Sequence, residues 1–263
     1  MKSPLLLLAA GFLLQACSVK EDRGQCPCLL SFITTEAFAP VADYPDTEWK
    51  LTVTGYAEEG KIVEERFGLE RARDMWEFPV KKGAVFVTAW LSRTETPVSD
   101  GCYRIPSGNQ AERIYACCSQ IDASGETAIF RVRPHKQYAT VTLLDDSGMD
   151  VPFGGRTLTV RGHCCGLDLT TLRPIEGPFE CPAQASDALP ERGVQVRIPR
   201  QEDASLELEL ADLDTELHIP LGEVLFSQPY TPADEDVPDY LVWLSVSGSA
   251  AWVSSVITVR PWK

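Results

Sequence analysis

Positive charge, histidine and membrane-length apolar runs are all scarce in this sequence of 263 residues. Its 24 Lys and Arg stand against 38 Asp and Glu, a formal net charge of −14. Nucleic acid partners require clustered basic side chains against phosphate, so this balance excludes DNA and RNA. The three histidines, His135, His163 and His218, leave few candidates for a general base. The one sustained apolar run, the ten residues Leu5 to Leu14, would rise only ~15 Å as a helix against a hydrocarbon core of ~30 Å, so it cannot span a bilayer. Gly-x-Ser-x-Gly, a phosphate-cradling glycine loop and His-Glu-x-x-His are also missing. No catalytic residue, cofactor or metal is therefore assigned, and an enzyme is not expected. With 44% hydrophobic residues the chain can nevertheless bury a core, which excludes disorder as its ground state.

What is present begins at the N-terminus. Lys2, the short apolar run and small residues after it are the parts of a secretory signal peptide. The run closes on Leu14-Gln15-Ala16-Cys17, which resembles the lipobox of bacterial lipoproteins, with Cys17 as the acylated residue and Gln15 a mild departure. Residues 1–16 are thus read as signal peptide and 17–25 as an acidic tether. Within the tether, Lys20-Glu21-Asp22 resembles the surface-export signal of lipoproteins in the Bacteroides group, which points to an outer-membrane, lipid-anchored and surface-exposed protein. Removing residues 1–16 takes away Lys2 and leaves 23 basic and 38 acidic side chains, a formal −15.

Nine cysteines suit an oxidising compartment. Acylation of Cys17 leaves eight, Cys26, Cys28, Cys102, Cys117, Cys118, Cys164, Cys165 and Cys181, an even set of disulfide candidates whose connectivity spacing does not fix. Bridges within each half are preferred: Cys102 with Cys117 or Cys118, and Cys181 with Cys164 or Cys165. Adjacent cysteines chelate one ion poorly, so His163-Cys164-Cys165 reads as disulfide ends and not as a metal site. His135 and His218 read as surface or half-buried imidazoles, and the acidic stretch Asp234-Glu235-Asp236-Val237-Pro238-Asp239, lacking spaced calcium ligands, as a solvated loop.

Strand-like alternation dominates the rest. Strands are expected at Trp49–Tyr56, Gly83–Trp90, Ala128–Arg133, Tyr138–Leu144, Arg156–Val160, Val194–Ile198, Ser205–Leu210, Tyr240–Val246 and Trp252–Val259. Ser205-Leu206-Glu207-Leu208-Glu209-Leu210 is the clearest, with leucines on one face and polar residues on the other. The expected fold class is all-β, as two tandem sandwiches over residues 26–133 and 134–263, with Arg133-Pro134-His135-Lys136-Gln137 separating them.

Several of these segments together resemble the FimB/Mfa-type fimbrial anchor subunits of type V pili. The resemblance rests on the lipobox and acidic tether followed by Cys26-Pro27 and a first strand at Leu29-Leu30-Ser31-Phe32. It continues in the strand, acidic-glycine turn and returning strand of Leu51 to Val63, and in the Lys81-Lys82-Gly83 turn into a strand ending at Trp90. The last segment, Val256 to Lys263, is similar to the terminal strand of these proteins. The vicinal pairs Cys117-Cys118 and Cys164-Cys165 depart from the pattern. The resemblance implies two transthyretin-like domains, an outer-membrane lipid anchor, pilin subunits as partners, and a role in holding the base of a fimbrial shaft by strand complementation. A last strand ending near Trp262 leaves no long tail to donate onward, which favours an end position. The alternatives are a surface glycan-binding lipoprotein, which would need exposed aromatic rings, and a shaft or tip pilin matured by proteolysis.

Overall fold

Nineteen strands make up nearly all the regular structure of a computed structural model that describes residues 26–42, 48–68, 75–93, 96–148, 152–185, 193–225, 236–247 and 250–258. The lipobox residues Leu14 to Cys17, the export signal Lys20 to Asp22, the loop residues Asp234 and Glu235, and Trp262 lie outside the described residues. Seven strands precede residue 105: β1 (Cys28–Ile33), β2 (Trp49–Ala57), β3 (Gly60–Gly68), β4 (Met75–Val80), β5 (Ala84–Arg93), β6 (Val98–Ser99) and β7 (Cys102–Arg104). Then come β8 (Tyr115–Asp122), β9 (Thr127–Arg131), β10 (His135–Lys136), β11 (Tyr138–Asp145), β12 (Thr157–Asp168), β13 (Arg173–Pro182) and β14 (Gln184–Ala185). The remainder are β15 (Gly193–Pro199), β16 (Glu207–Ala211), β17 (Glu216–Ile219), β18 (Asp239–Ser247) and β19 (Ala250–Thr258), with an α-helical turn at Leu221–Leu225 and 3-10 turns at Ala39–Val41 and Pro152–Gly155. The protein is all-β, and a strand lies at each of the nine expected positions.

The strands form four sheets. The first runs β4-β1-β9 and the second β10-β8-β5-β2-β3. The third runs β14-β15-β11-β18-β19, and the fourth β17-β16-β12-β7-β6, with β13 against β12 as well. Most pairings are antiparallel; β1 with β9 and β11 with β18 are parallel. Period-2 burial explains why these segments choose strand: Leu30 and Phe32 on β1, Leu51 and Val53 on β2, and Leu208 and Leu210 on β16 are fully buried while neighbouring positions are wetter. Each such side chain contributes ~1.5–3 kcal/mol by leaving water. Phe32 is also held edge-on by Phe78 at 5.7 Å and Phe130 at 5.8 Å, which ties together all three strands of the first sheet.

One excursion crosses the expected order. Between β5 and β8, both in the second sheet, the chain leaves to place β6 and β7 in the fourth, where Cys102, Tyr103 and Arg104 face Asp168, Leu167 and Gly166 of β12. It continues along the same side: the Ile105 amide donates to the Cys165 carbonyl, Gly108 to Glu180 and Ala111 to Arg197. Two further bonds tie the excursion back. Leu169 donates its amide to the Gly101 carbonyl at 2.8 Å, and the buried Thr88 hydroxyl of β5 donates to the Leu169 carbonyl at 2.7 Å. Gly166 makes the approach of β7 possible, because a Cβ there would lie 2.1 Å from the Tyr103 carbonyl oxygen.

Two residues of the stretch expected to act as a spacer, His135 and Lys136, form a short strand. His135 and Lys136 pair with Ala116 and Tyr115 of β8, and the Gln137 amide donates to the Ile114 carbonyl. Backbone pairing with β8 decides the conformation of these two residues.

Candidate interaction edges and side-chain clusters

The acidic stretch before β18 has a structural task. Asp236 Oδ1 accepts the Lys136 amide at 2.6 Å, and Asp239 Oδ1 accepts both the Lys136 ammonium and the Thr140 amide. The Val237 amide closes the contact by donating to the Lys136 carbonyl. Asp236 and Asp239 therefore fasten β10 and the start of β11, which corrects the expectation of a purely solvated loop. His135 joins them, with Nδ1 at 3.5 Å from Asp236 Oδ2.

The other histidines sit on outward faces. His163 is exposed on β12, and His218 on β17 lies between Glu207, 2.9 Å from Nδ1, and Glu216, 3.1 Å from Nε2. Pairing of β16 with β17 sets Glu209 opposite His218, so polar atoms of Glu209, Glu216 and His218 fall within 4.8 Å of one another. Arg161 already holds Glu209 in an ion pair and reaches Glu180 with its Nε. Sequence reasoning missed this cluster because cross-strand register, not spacing, assembles it.

All eight described cysteines are free thiols in the structure. Cys26 is exposed, Cys28, Cys164 and Cys181 are buried, and the rest are intermediate. Burial pushes the Cys117 thiol up to about 12 and those of Cys164 and Cys181 up to about 11. Register bears on the preferred pairings. Cys181 stands opposite Val160, four residues from Cys164 along β12, roughly 13 Å at strand rise and well beyond the ~7 Å limit between bridged Cα atoms. A bridge from Cys181 to Cys164 or Cys165 is therefore incompatible with this hairpin. Cys164 and Cys165 lie instead in a doubly bulged part of β12, between Gly162 and Gly166. Cys102 and Cys118 share a neighbour in Asp168, which faces Cys102 across β7 and β12 and whose charge helps raise the Cys118 thiol, after burial.

Strand edges are the remaining interaction features. Among the described residues, β19 pairs with β18 alone in the third sheet, and β3 ends the second sheet. In the first sheet β1 is central, with β4 and β9 on its flanks. Of the tryptophans, Trp49 and Trp90 are buried and Trp76 and Trp243 half-buried, so none of these four supplies the exposed platform a surface glycan-binding protein would use.

No family model matches the sequence, and none of the curated proteins does. Solved structures do. Mfa2, the fimbrial anchor protein of Porphyromonas gingivalis, superposes with a TM-score of 0.56 at 14% identity, covering 90% of this chain and 100% of that one. The chain has the fold of the Mfa-type fimbrial subunits. Mfa3, the tip fimbrial protein of the same organism in a C-terminally truncated form, matches with a TM-score of 0.51 at 9% identity over 89% of this chain and 99% of that one. A candidate adhesin of Bacteroides ovatus gives 0.59 at 11% identity over 88% and 96%. At these identities the Mfa-type likeness is one of fold, and it extends over about nine tenths of the chain.

Proposed function

We propose that the protein is a fimbrial anchor or minor subunit, attached to the outer membrane through lipid on Cys17 and holding the base of a shaft by strand complementation. The carrying observation is the fold, shared with Mfa2 over nearly the full length of both chains. Two sandwich units fit this role: the first and second sheets form one, the third and fourth the other, dividing near residue 134 with β6 and β7 reaching across one way and β10 the other. The parallel pairs β1 with β9 and β11 with β18 repeat the same arrangement in each.

The physics of attachment supports the anchor over a shaft subunit. A net charge of −14 gives no electrostatic hold on an anionic surface, so acyl chains must supply it, each buried methylene contributing ~0.8 kcal/mol. No helix among the described residues is long and apolar enough to cross a membrane. The eleven residue-to-residue steps from Cys17 to Cys28 span at most roughly 38 Å when fully extended, which keeps β1 close to the bilayer. β1 is also the central strand of its sheet, with Leu30 and Phe32 fully buried, so a chain tethered through it has reason to keep it. The partner is then a pilin segment adding to an open edge through backbone hydrogen bonds.

Deletion of the protein from a fimbriated host tests this reading. Fimbriae are expected to become longer and to be shed into the medium, and Cys17→Ala is expected to shed them too. Fimbriae of normal length, firmly attached, would overturn it.

A further inference from the structure

The outward face of the second sheet holds a pocket of about 110 Å³, roofed by the excursion that carries β6. Its floor is formed by side chains that alternate away from the core, Thr52 and Thr54 on β2 and Trp90 and Ser92 on β5. These residues are buried although they point out of the sandwich, because residues 96–101 pass over them. Tyr56, half-buried, forms part of the wall.

Three properties define what fits. The Thr54 and Thr96 hydroxyls, on residues 1% and 7% exposed, line the pocket and have no hydrogen-bond partner among the described residues. A buried hydroxyl left unmatched is costly, so the pocket favours a ligand that offers hydroxyls of its own. Its charges cancel: Lys61 and Arg66 stand against Glu64 and Asp100, and Lys61 is already paired with Glu64. Neither an anion nor a cation gains a net field there, while carboxylates and cationic donors side by side suit the mixed donors and acceptors of a polyol. The volume is below the ~300 Å³ at which drug-sized pockets begin, which admits one small unit and not a chain segment.

We propose that this pocket binds a single neutral sugar unit, with Thr54, Ser92 and Thr96 hydrogen-bonding its hydroxyls and Tyr56 against its ring. This differs from capture of polysaccharide on exposed tryptophans, which the burial of Trp49 and Trp90 disfavours. It stands on the pocket alone and holds whichever end of a fimbria the chain occupies.

Saturation-transfer NMR on the full chain tests it, using methyl glucoside, methyl galactoside, methyl mannoside and N-acetylglucosamine, with glucuronate and glucosamine as charged controls. At least one neutral sugar is expected to bind, and each charged control to bind about tenfold more weakly or not at all. Thr54→Val and Ser92→Ala are each expected to weaken binding about tenfold, the effect of losing one hydrogen bond. Thr54→Val removes a buried, unpartnered hydroxyl, so its melting temperature should be at or above that of the parent. No transfer to any neutral sugar, equal transfer to glucuronate, or binding unchanged in folded Thr54→Val and Ser92→Ala would overturn the proposal.

Discussion

Lys136 and Asp239, 103 residues apart in the chain, meet with Nζ 2.5 Å from Oδ1, and the same carboxylate oxygen accepts the Thr140 amide at 2.6 Å. The side chains are only 16% and 26% exposed, so screening by water is limited. Truncation of Asp239 would take a carboxylate partner from an ammonium and an amide in one step. Asp239→Ala is expected to cost about 2–3 kcal/mol, and Asp239→Asn, which keeps an acceptor, less; urea denaturation of both variants checks this.

Gly166 controls the crossing of β7 onto β12. A methyl group there meets backbone at 2.1 Å, which no side-chain rotation relieves. Gly166→Ala is expected to cost at least ~1–3 kcal/mol and to raise amide exchange across residues 102–105 selectively. Uniform exchange with unchanged stability would show that β7 is not held there.

Acid sensitivity follows from Asp168. Burial disfavours its charge, yet hydrogen bonds from the amides and hydroxyls of Thr170 and Thr171 more than offset this and keep the carboxyl below its ordinary value. Asp212 and Asp203 are likewise held low, Asp212 by the amides of Asp214 and Thr215 and Asp203 chiefly by Ser205. Because the folded state binds these protons less readily than the unfolded one, the stabilisation is complete above the ordinary carboxyl range near pH ~4 and is lost as pH falls below it. Asp168→Asn is expected to lose less stability than the parent between about pH 5 and 3, measured as urea midpoints across that range.

Much of this fold is legible in the sequence because most strands have one wet face. Leu206, Leu208 and Leu210 announce β16 through alternation alone. β13 is hidden by Pro174, Pro178 and Pro182, tolerated because its one partner is β12, and β8 by the polar run Cys117 to Gln120. The crossing of β6 and β7, the fastening of β10 by Asp236 and Asp239, and the pocket over Thr54 depend on pairings of high sequence separation, which no local pattern encodes. Which residue Cys181 faces is likewise set by register along β12 and not by spacing in the sequence.

Thiol reactivity separates the cysteines. In reduced protein near pH 8, exposed Cys26 is expected to alkylate first, with Cys117, Cys164 and Cys181 far behind because burial holds their thiols at about 11 to 12. Peptide mass mapping against time reads the order directly; comparable rates for Cys26 and Cys181 would contradict the burial of Cys181.

The anchor reading is tested most directly by mass spectrometry of the N-terminus of the mature surface protein. It predicts a chain beginning at Cys17 and carrying acyl groups, with β1 intact. A chain that begins beyond β1, or an unacylated Cys17, would contradict it.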